Sequence, residues 1–209
     1  FPFVALLVSG GHTSIYHVTG HTVVEVMGQT RDDAAGEAFD KVAKMLGLGY
    51  PGGVVIDQRA RAGDRKAFRF PRAMLNRPGS DFSFSGLKTA VRQQLARDGV
   101  PEEDAALADL CASFQEAVVD VLVTRVRQAA KRAGVQDVVV AGGVAANSRL
   151  RGRLQEIAPN DGLTVHLPKP VFCTDNAAMV AFAGHRRLAR GEHDDFDLNA
   201  VASWGGRLS

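Results

Sequence analysis

Cysteine is scarce, tryptophan is single, and no apolar stretch of this 209-residue chain reaches membrane-spanning length. Cys111 and Cys173 form no C-x-x-C motif, so neither a disulfide framework nor a zinc knuckle is predicted. A reducing, cytoplasmic setting is the expectation that follows. A bilayer span needs roughly 18 consecutive apolar residues, and none is found. There is no H-E-x-x-H, so a zinc-protease mechanism has no sequence support. The string His17-Val18-Thr19-Gly20-His21 has H-x-x-x-H spacing but straddles a predicted two-residue hairpin turn. There Val18 would face His21 across the turn and His17 would point to the other side of the sheet, so the pair is read as hairpin residues, not metal ligands. Tandem repeats and low-complexity tracts are missing too. An excess of one charge sign is nearly missing: 25 basic against 23 acidic residues give a formal +2, which excludes a polycation. The opening residues are not Met and carry no basic flank or cleavage site, which predicts no secretory leader. A chain that opens inside a strand is read as part of a longer polypeptide.

What is present is ordinary globular composition, 45% hydrophobic and 23% charged, enough for one well-buried domain or two small ones. Strand-like segments at 3–8, 14–18 and 22–27, separated by Gly10-Gly11 and Thr19-Gly20, predict an antiparallel meander. Helical spacing of Ala34/Ala35, Phe39, Val42/Ala43 and Leu46 predicts a helix over 33–46, with a second over 54–62. Residues 64–84 read as irregular, basic and Phe/Pro-rich. Ser85 is expected to cap a helix to Asp98, followed by a long helix over 102–133. An α/β ending follows: strand 137–141, helix 145–157, strand 163–167 and helix 176–190, then a loop or tail holding His193-Asp194-Asp195 and Trp204-Gly205-Gly206. A meander followed by alternating helix and strand is the order of one lobe of the actin, Hsp70 and sugar-kinase ATPase fold, an RNase H-like α/β architecture. The whole chain, 1–209, is read as one such lobe, the second, with a helical and basic insert at about 54–100.

Several short motifs suit ligand chemistry. Ser9-Gly10-Gly11-His12-Thr13 places two glycines between strands, where N–H groups and a hydroxyl could face an anion, or it is an ordinary hairpin turn. Asp33, Gly36, Glu37 and Asp40 share one face of the first helix. A glycine inside a helix costs about 1 kcal/mol against alanine and calls for a reason, such as a close ligand. Val139 to Asn147 reads as strand, glycine turn and helix start, which suits a flat ligand or phosphate; Asn147 could equally be a plain helix-start residue. Asp175 stands where a helix N-cap is expected. Within 59–77, Arg59, Arg61, Arg65, Lys66, Arg69, Arg72 and Arg77 outnumber the acid Asp64, and the run is either a nucleic-acid surface or a solvated face.

Taken in order, Leu7 to Thr13, Asp32 to Lys41, Tyr50-Pro51-Gly52-Gly53, Phe82 to Lys88, Ala141 to Asn147 and Cys173-Thr174-Asp175-Asn176 closely resemble the TsaD family, tRNA adenosine threonylcarbamoyltransferases once described as glycoproteases. The resemblance runs from Phe1 to about Gly191. It implies transfer of a threonylcarbamoyl group from threonylcarbamoyl-AMP to N6 of the adenosine beside the anticodon of tRNA. It further implies that Leu7, Val8, Ser9, Gly10 and Gly11 hold the phosphate or acyl-phosphate part of the nucleotide, ATP, AMP or the adenylate. Asp40, Gly53 and Asp57 would bind its ribose, and Asn147 would bind nucleotide as well. Asp175 would be one ligand of a divalent metal (iron, zinc or magnesium), completed by two histidines of a first lobe this sequence does not contain. The basic segment and Ser83 to Lys88 would face tRNA, with a phenylalanine stacking on a base, although Phe68, Phe82 and Phe84 could instead be core. The implied partners are a TsaB-like paralogue and a TsaE-like ATPase, with no membrane. No general base is identifiable, so the chain is expected to be half an active site. The competing readings are a small-molecule kinase or ATPase of the same fold and a catalytically silent scaffold paralogue. A lone lobe would also expose its cleft face and self-associate.

Overall fold

The computed structural model describes residues 1–199; residues 200–209, with the Trp204-Gly205-Gly206 string, lie outside the described residues. The strands are β1 (Phe3–Val8), β2 (Thr13–Val18), β3 (Val24–Gln29), β4 (Asp137–Ala141) and β5 (Thr164–His166). They form one sheet in the order β3-β2-β1-β4-β5. The meander pairs antiparallel, and β4 and β5 extend it in parallel from β1. The helices are α1 (Ala35–Met45), α2 (Gly52–Ala60), α3 (Ser85–Asp98), α4 (Asp104–Ala133), α5 (Ser148–Asp161) and α6 (Ala177–Leu188). This is the RNase H-like lobe anticipated from the element order.

Alternation explains the sheet. Val4, Leu6 and Val8 are fully buried while Phe3, Ala5 and Leu7 are half-buried, as a period of two requires when one face is more fully covered. The long α4 crosses that sheet against β1, β2 and β4. Its Phe114 meets Phe39 of α1 edge to face, ring centroids 5.2 Å apart.

Several boundaries differ from the sequence reading for local reasons. The β2–β3 turn spans residues 19–23, so Val18 pairs with Val24 and not with His21. The His21 ring instead packs edge-on to Phe1, 4.9 Å between centroids, while His17 pairs with Glu25 in β3. α1 begins at Ala35, leaving Asp33 outside it. Residues 143–146 form a single 3₁₀ turn before α5. Ser85 is the first residue of α3 and not its cap: its hydroxyl donates to Asp32 at 2.7 Å.

The irregular 64–84 segment is fixed by side chains of α4. Asp109 accepts from Asp64 N–H, and Ser113 donates to Asp64 O while accepting from Phe68 N–H. Asp120 accepts from Arg72, and Arg132 donates to Ser80. Phe82 and Phe84 are buried and stacked at 6.2 Å. They are core beneath the loop, and neither leaves a ring face for a nucleobase.

Candidate functional site

The parallel strands β1 and β4 end side by side, and the glycine turns that follow them meet there. Gly142 has φ of 96°, and a Cβ on it would lie 2.3 Å from the Val8 carbonyl oxygen, so only glycine lets the β4–α5 turn pass that close. In the turn after β1, Ser9 N–H donates to His12 O at 2.8 Å and the Ser9 hydroxyl accepts from His12 N–H at 3.1 Å. Among the described residues, the N–H groups of Gly10 and Gly11 have no hydrogen-bond partner, and both residues are exposed. Leu7 and Val8 are strand residues, Val8 wholly buried, so the open part of the Leu7–Gly11 stretch is Ser9 to Gly11.

α1 is docked onto this turn by its first residues. Ala35 N–H donates to the Thr13 hydroxyl and Gly36 N–H to Ser9 O. A Cβ on Gly36 would sit 2.5 Å from Ser9 O and 2.8 Å from Gly10, so the glycine is required by the loop backbone and not by a ligand. Asp33 and Glu37 do not group with Asp40; both meet Lys41, at 2.8 and 2.7 Å. Hydrogen bonds that Lys41 donates to both carboxylates push it well above the usual lysine range.

Asp40 accepts from Gly52 N–H at 2.8 Å and is half-buried, its second oxygen without a partner among the described residues. Gly53 follows, half-buried, in the first turn of α2. Asp57 is buried and committed within the chain, accepting from the Ser148 backbone N–H at 3.2 Å and its hydroxyl at 2.8 Å, with Arg61 at 3.5 Å. Asn147 is also committed: its Oδ1 caps α5 by accepting from Leu150 N–H, and its Nδ2 donates to Gln115 at 2.7 Å. Of the side chains expected on ribose and nucleotide, Asp40 alone keeps an open oxygen. The sequence reading missed Ser148 and Gln115. The second had a signal, an amide within the apolar stripe of α4.

Asp32 joins two of the sequence motifs. Its carboxylate accepts from the Ser83 hydroxyl at 2.6 Å, Phe84 N–H at 2.8 Å, and both the Ser85 N–H and hydroxyl. Partial burial opposes ionisation, but these hydrogen bonds outweigh it and hold Asp32 below the ordinary aspartate range. The neighbouring Asp33 reaches Lys88 of α3 at 3.3 Å.

Asp175 is exposed, and α6 is capped by Asn176 instead, whose Oδ1 accepts from Met179 N–H at 3.1 Å. The expected N-cap role thus falls to its neighbour, leaving Asp175 with no hydrogen-bond partner among the described residues. Among those residues no group of three or more His, Cys, Asp or Glu side chains could hold a metal ion. One exposed carboxylate is a ligand, not a site, so no reaction step is derived through a metal. An open concavity of about 510 Å³ at the C-terminal ends of α4 and α5, lined by Arg127, Lys131 and Asp161 among others, is at the far end of the sheet and shares no residue with the glycine turns. No described helix is long and apolar enough to cross a membrane.

In the basic segment, Arg59 pairs with Asp104, Arg61 with Asp57 and Arg72 with Asp120. Arg65, Lys66, Arg69 and Arg77 are exposed with no carboxylate partner among the described residues.

The solved structure of HypF from T. kodakarensis superposes with a TM-score of 0.57 over 76% of this chain and 20% of that one, at 22% identity, which shows a shared fold. Relatives named tRNA N6-adenosine threonylcarbamoyltransferase are 53% identical in Syntrophus aciditrophicus, over 98% of this chain and 60% of that protein, and 55% identical in Anaeromyxobacter sp., over 98% and 61%. A third, from Bdellovibrio bacteriovorus, is 51% identical over 95% of this chain and 57% of its own length. The chain thus spans about 60% of the length of these curated relatives. The family model described as "TsaD: tRNA N6-adenosine threonylcarbamoyltransferase" matches residues 1–182. With the fold, the glycine turns and this degree of identity in agreement, the chain belongs to the TsaD family.

Proposed function

We propose that this chain is the C-terminal lobe of a tRNA N6-adenosine threonylcarbamoyltransferase and supplies half of its active site. The observation that carries the reading is the meeting of two glycine turns at the carboxyl ends of β1 and β4, with free Gly10 and Gly11 N–H groups and the open Asp40 oxygen one turn along α1 from Gly36, which packs on Ser9 and Gly10. Ligands of open α/β sheets bind outside the carboxyl ends of the strands, and unpaired backbone N–H groups there favour an anion.

In the proposed reaction the exocyclic N6 of the tRNA adenosine attacks the carbamoyl carbon of threonylcarbamoyl-AMP. The C–O bond to phosphate breaks, AMP departs with the electron pair, and the amine loses a proton. Ser9 to Gly11 face the phosphoryl oxygens and Asp40 accepts from a ribose hydroxyl. Gly53 and Asp57 stand with Asp40 on the ribose side and Asn147 on the nucleotide, Asp57 and Asn147 being held in place by Ser148 and Gln115. Asp175 would supply one oxygen to a divalent ion, whose other ligands would come from outside this chain and which would polarise the carbonyl. The exposed Arg65, Lys66, Arg69 and Arg77 face the tRNA backbone. The assembly includes a TsaB-like paralogue and a TsaE-like ATPase, and the setting is cytoplasmic.

The test is calorimetric titration of the chain with AMP and ATP, with and without divalent metal. Weak, metal-insensitive binding lost in Asp40→Ala supports a half-site. Tight, metal-dependent binding means the chain carries a whole site. No binding at all favours the silent-scaffold reading, which the internal commitment of Asp57 and Asn147 makes the strongest alternative.

A further inference from the structure

Arg125, in the second half of α4, is 1% exposed and makes no ion pair among the described residues. Buried charges are ordinarily paired with opposite charge, because desolvating a lone ion is costly. Here the direct contacts are neutral acceptors, and the opposite charge of Asp81 acts on the guanidinium only at longer range. Its Nη1 lies 2.5 Å from the Gly79 carbonyl, 3.1 Å from that of Arg77 and 2.9 Å from Gln128 Oε1, and its Nη2 donates to the Met74 carbonyl. Three carbonyls of one loop, residues 74–79, therefore converge on a single side chain. Met74 itself has φ of 68°, a left-handed conformation that a side-chain-bearing residue holds only when its surroundings impose it. The Nε finds no partner among the described residues.

The loop that Arg125 fixes carries charge outward. Arg77 is exposed on it; Arg132 is exposed two turns further along α4 and donates to Ser80; Arg31 is exposed and pairs with Asp81. Three guanidiniums thus stand around the loop against the Asp81 carboxylate. That excess of rigid forked donors suits phosphate oxygens.

We propose that Arg125 is a positioning residue for RNA binding: it holds the 74–79 loop so that Arg77 stands beside Arg132 for contact with an RNA backbone. The inference rests on the tRNA reading above. A loop ordered before binding spares the complex the entropy of ordering it afterwards. The clamp acts through backbone carbonyls, so it fixes the loop whatever its side chains are.

The test uses the whole chain, a synthetic anticodon stem-loop RNA, and the variants Arg125→Met, Arg125→Lys and Arg77→Ala. Trypsin cleavage after Arg72, without RNA, reads loop order; anisotropy at several salt concentrations reads RNA binding; AMP titration reads the nucleotide site. Arg125→Met removes an unpaired buried charge while keeping an unbranched chain, so the fold is expected to survive. Its loop should be cut about tenfold faster in proportion to its opening. RNA affinity should fall about fivefold to tenfold with a salt slope shallower by about 1, as in Arg77→Ala. AMP binding should not change. Arg125→Lys, with one ammonium for several carbonyls, should fall between, and serves alone if the Met variant does not fold. Unchanged cleavage, or RNA affinity that survives an opened loop, overturns the proposal. If wild type fails to bind the stem-loop, the tRNA reading falls with it, and unaltered AMP binding then separates that failure from loss of the nucleotide site.

Discussion

Residues 64–84 contain no helix or strand, and α6 is twelve residues of regular helix, yet the first is the better anchored of the two. The irregular segment is tied to α4 by Asp109, Ser113, Asp120, Arg125 and Arg132, and places Phe70, Phe82 and Phe84 in the core. α6 buries no residue, and Met179, Val180, Phe182 and Leu188 are exposed along it. Regular hydrogen bonding inside a helix is therefore a poor measure of how firmly a segment is held. An isolated helix of this length is marginal in water, and tertiary contacts make the difference.

The largest effect that would sharpen this contrast is expected at Gly63, where the basic segment leaves α2. A Cβ there would lie 2.1 Å from the Ala108 carbonyl oxygen of α4. Gly63→Ala should cost about 3 kcal/mol, since backbone on both sides must shift. Denaturant unfolding measures it, and a cost below that of an ordinary surface substitution would break the claim that the segment is tightly docked.

Next comes the other end of the segment. Asp32→Asn weakens the hydrogen bonds that hold Ser83 to Ser85, and should cost about 1–2 kcal/mol at neutral pH after allowance for solvent screening. Because the folded-state pKa of Asp32 lies below its unfolded value, its contribution is full above that unfolded value and is lost as pH falls through the folded one. The gap between wild type and Asp32→Asn should therefore close below about pH 4, near the ordinary aspartate pKa. A gap that is constant with pH would count against the carboxylate as the source.

A smaller effect is expected at Ser113, whose hydroxyl joins Asp64 O and Phe68 N–H. Ser113→Ala should cost about 1 kcal/mol, read from the unfolding midpoint, because two partly solvated backbone groups lose a partner. The smallest is in α6: Val180→Ser should change monomer stability by less than about 0.5 kcal/mol. It should, however, reduce any self-association seen by light scattering, since an exposed apolar helix face promotes contact between copies. A large loss of monomer stability in Val180→Ser would show α6 to be packed after all.

Much of the fold was legible because periodicity carries it. The alternation in Phe3–Val8, the helical spacing of Phe39, Val42, Ala43 and Leu46, and the strand–glycine–helix string around Gly142 each name their element without tertiary information. Boundaries failed where a distant group takes over a local one. Ser85 reads as a cap until Asp32 claims its hydroxyl, and Asp175 reads as a cap until Asn176 proves better placed. The β2–β3 turn misled because a longer connection leaves no simple pattern.

The site was legible in part for the same reason. Gly142 in the turn after β4, and Gly36 of α1 where it packs on the turn after β1, are demanded by close backbone approach, and glycine is the residue type that such approach selects. Whether a polar side chain near them is free or spent is another matter. Asp40, Asp57 and Asn147 look alike as candidates in the sequence, but Ser148 occupies Asp57 and Gln115 occupies Asn147 from elements far along the chain.

By itself, then, the sequence determined the order and kind of the elements, the positions where backbone must pass backbone, and the family the chain belongs to. These are short-range properties, written in residue size and spacing. Only the tertiary structure decided which charges are neutralised, which aromatic rings are core, and that a buried arginine holds an irregular loop while a well-formed helix goes uncovered. Those outcomes depend on partners distant in sequence, and no local pattern encodes who meets whom.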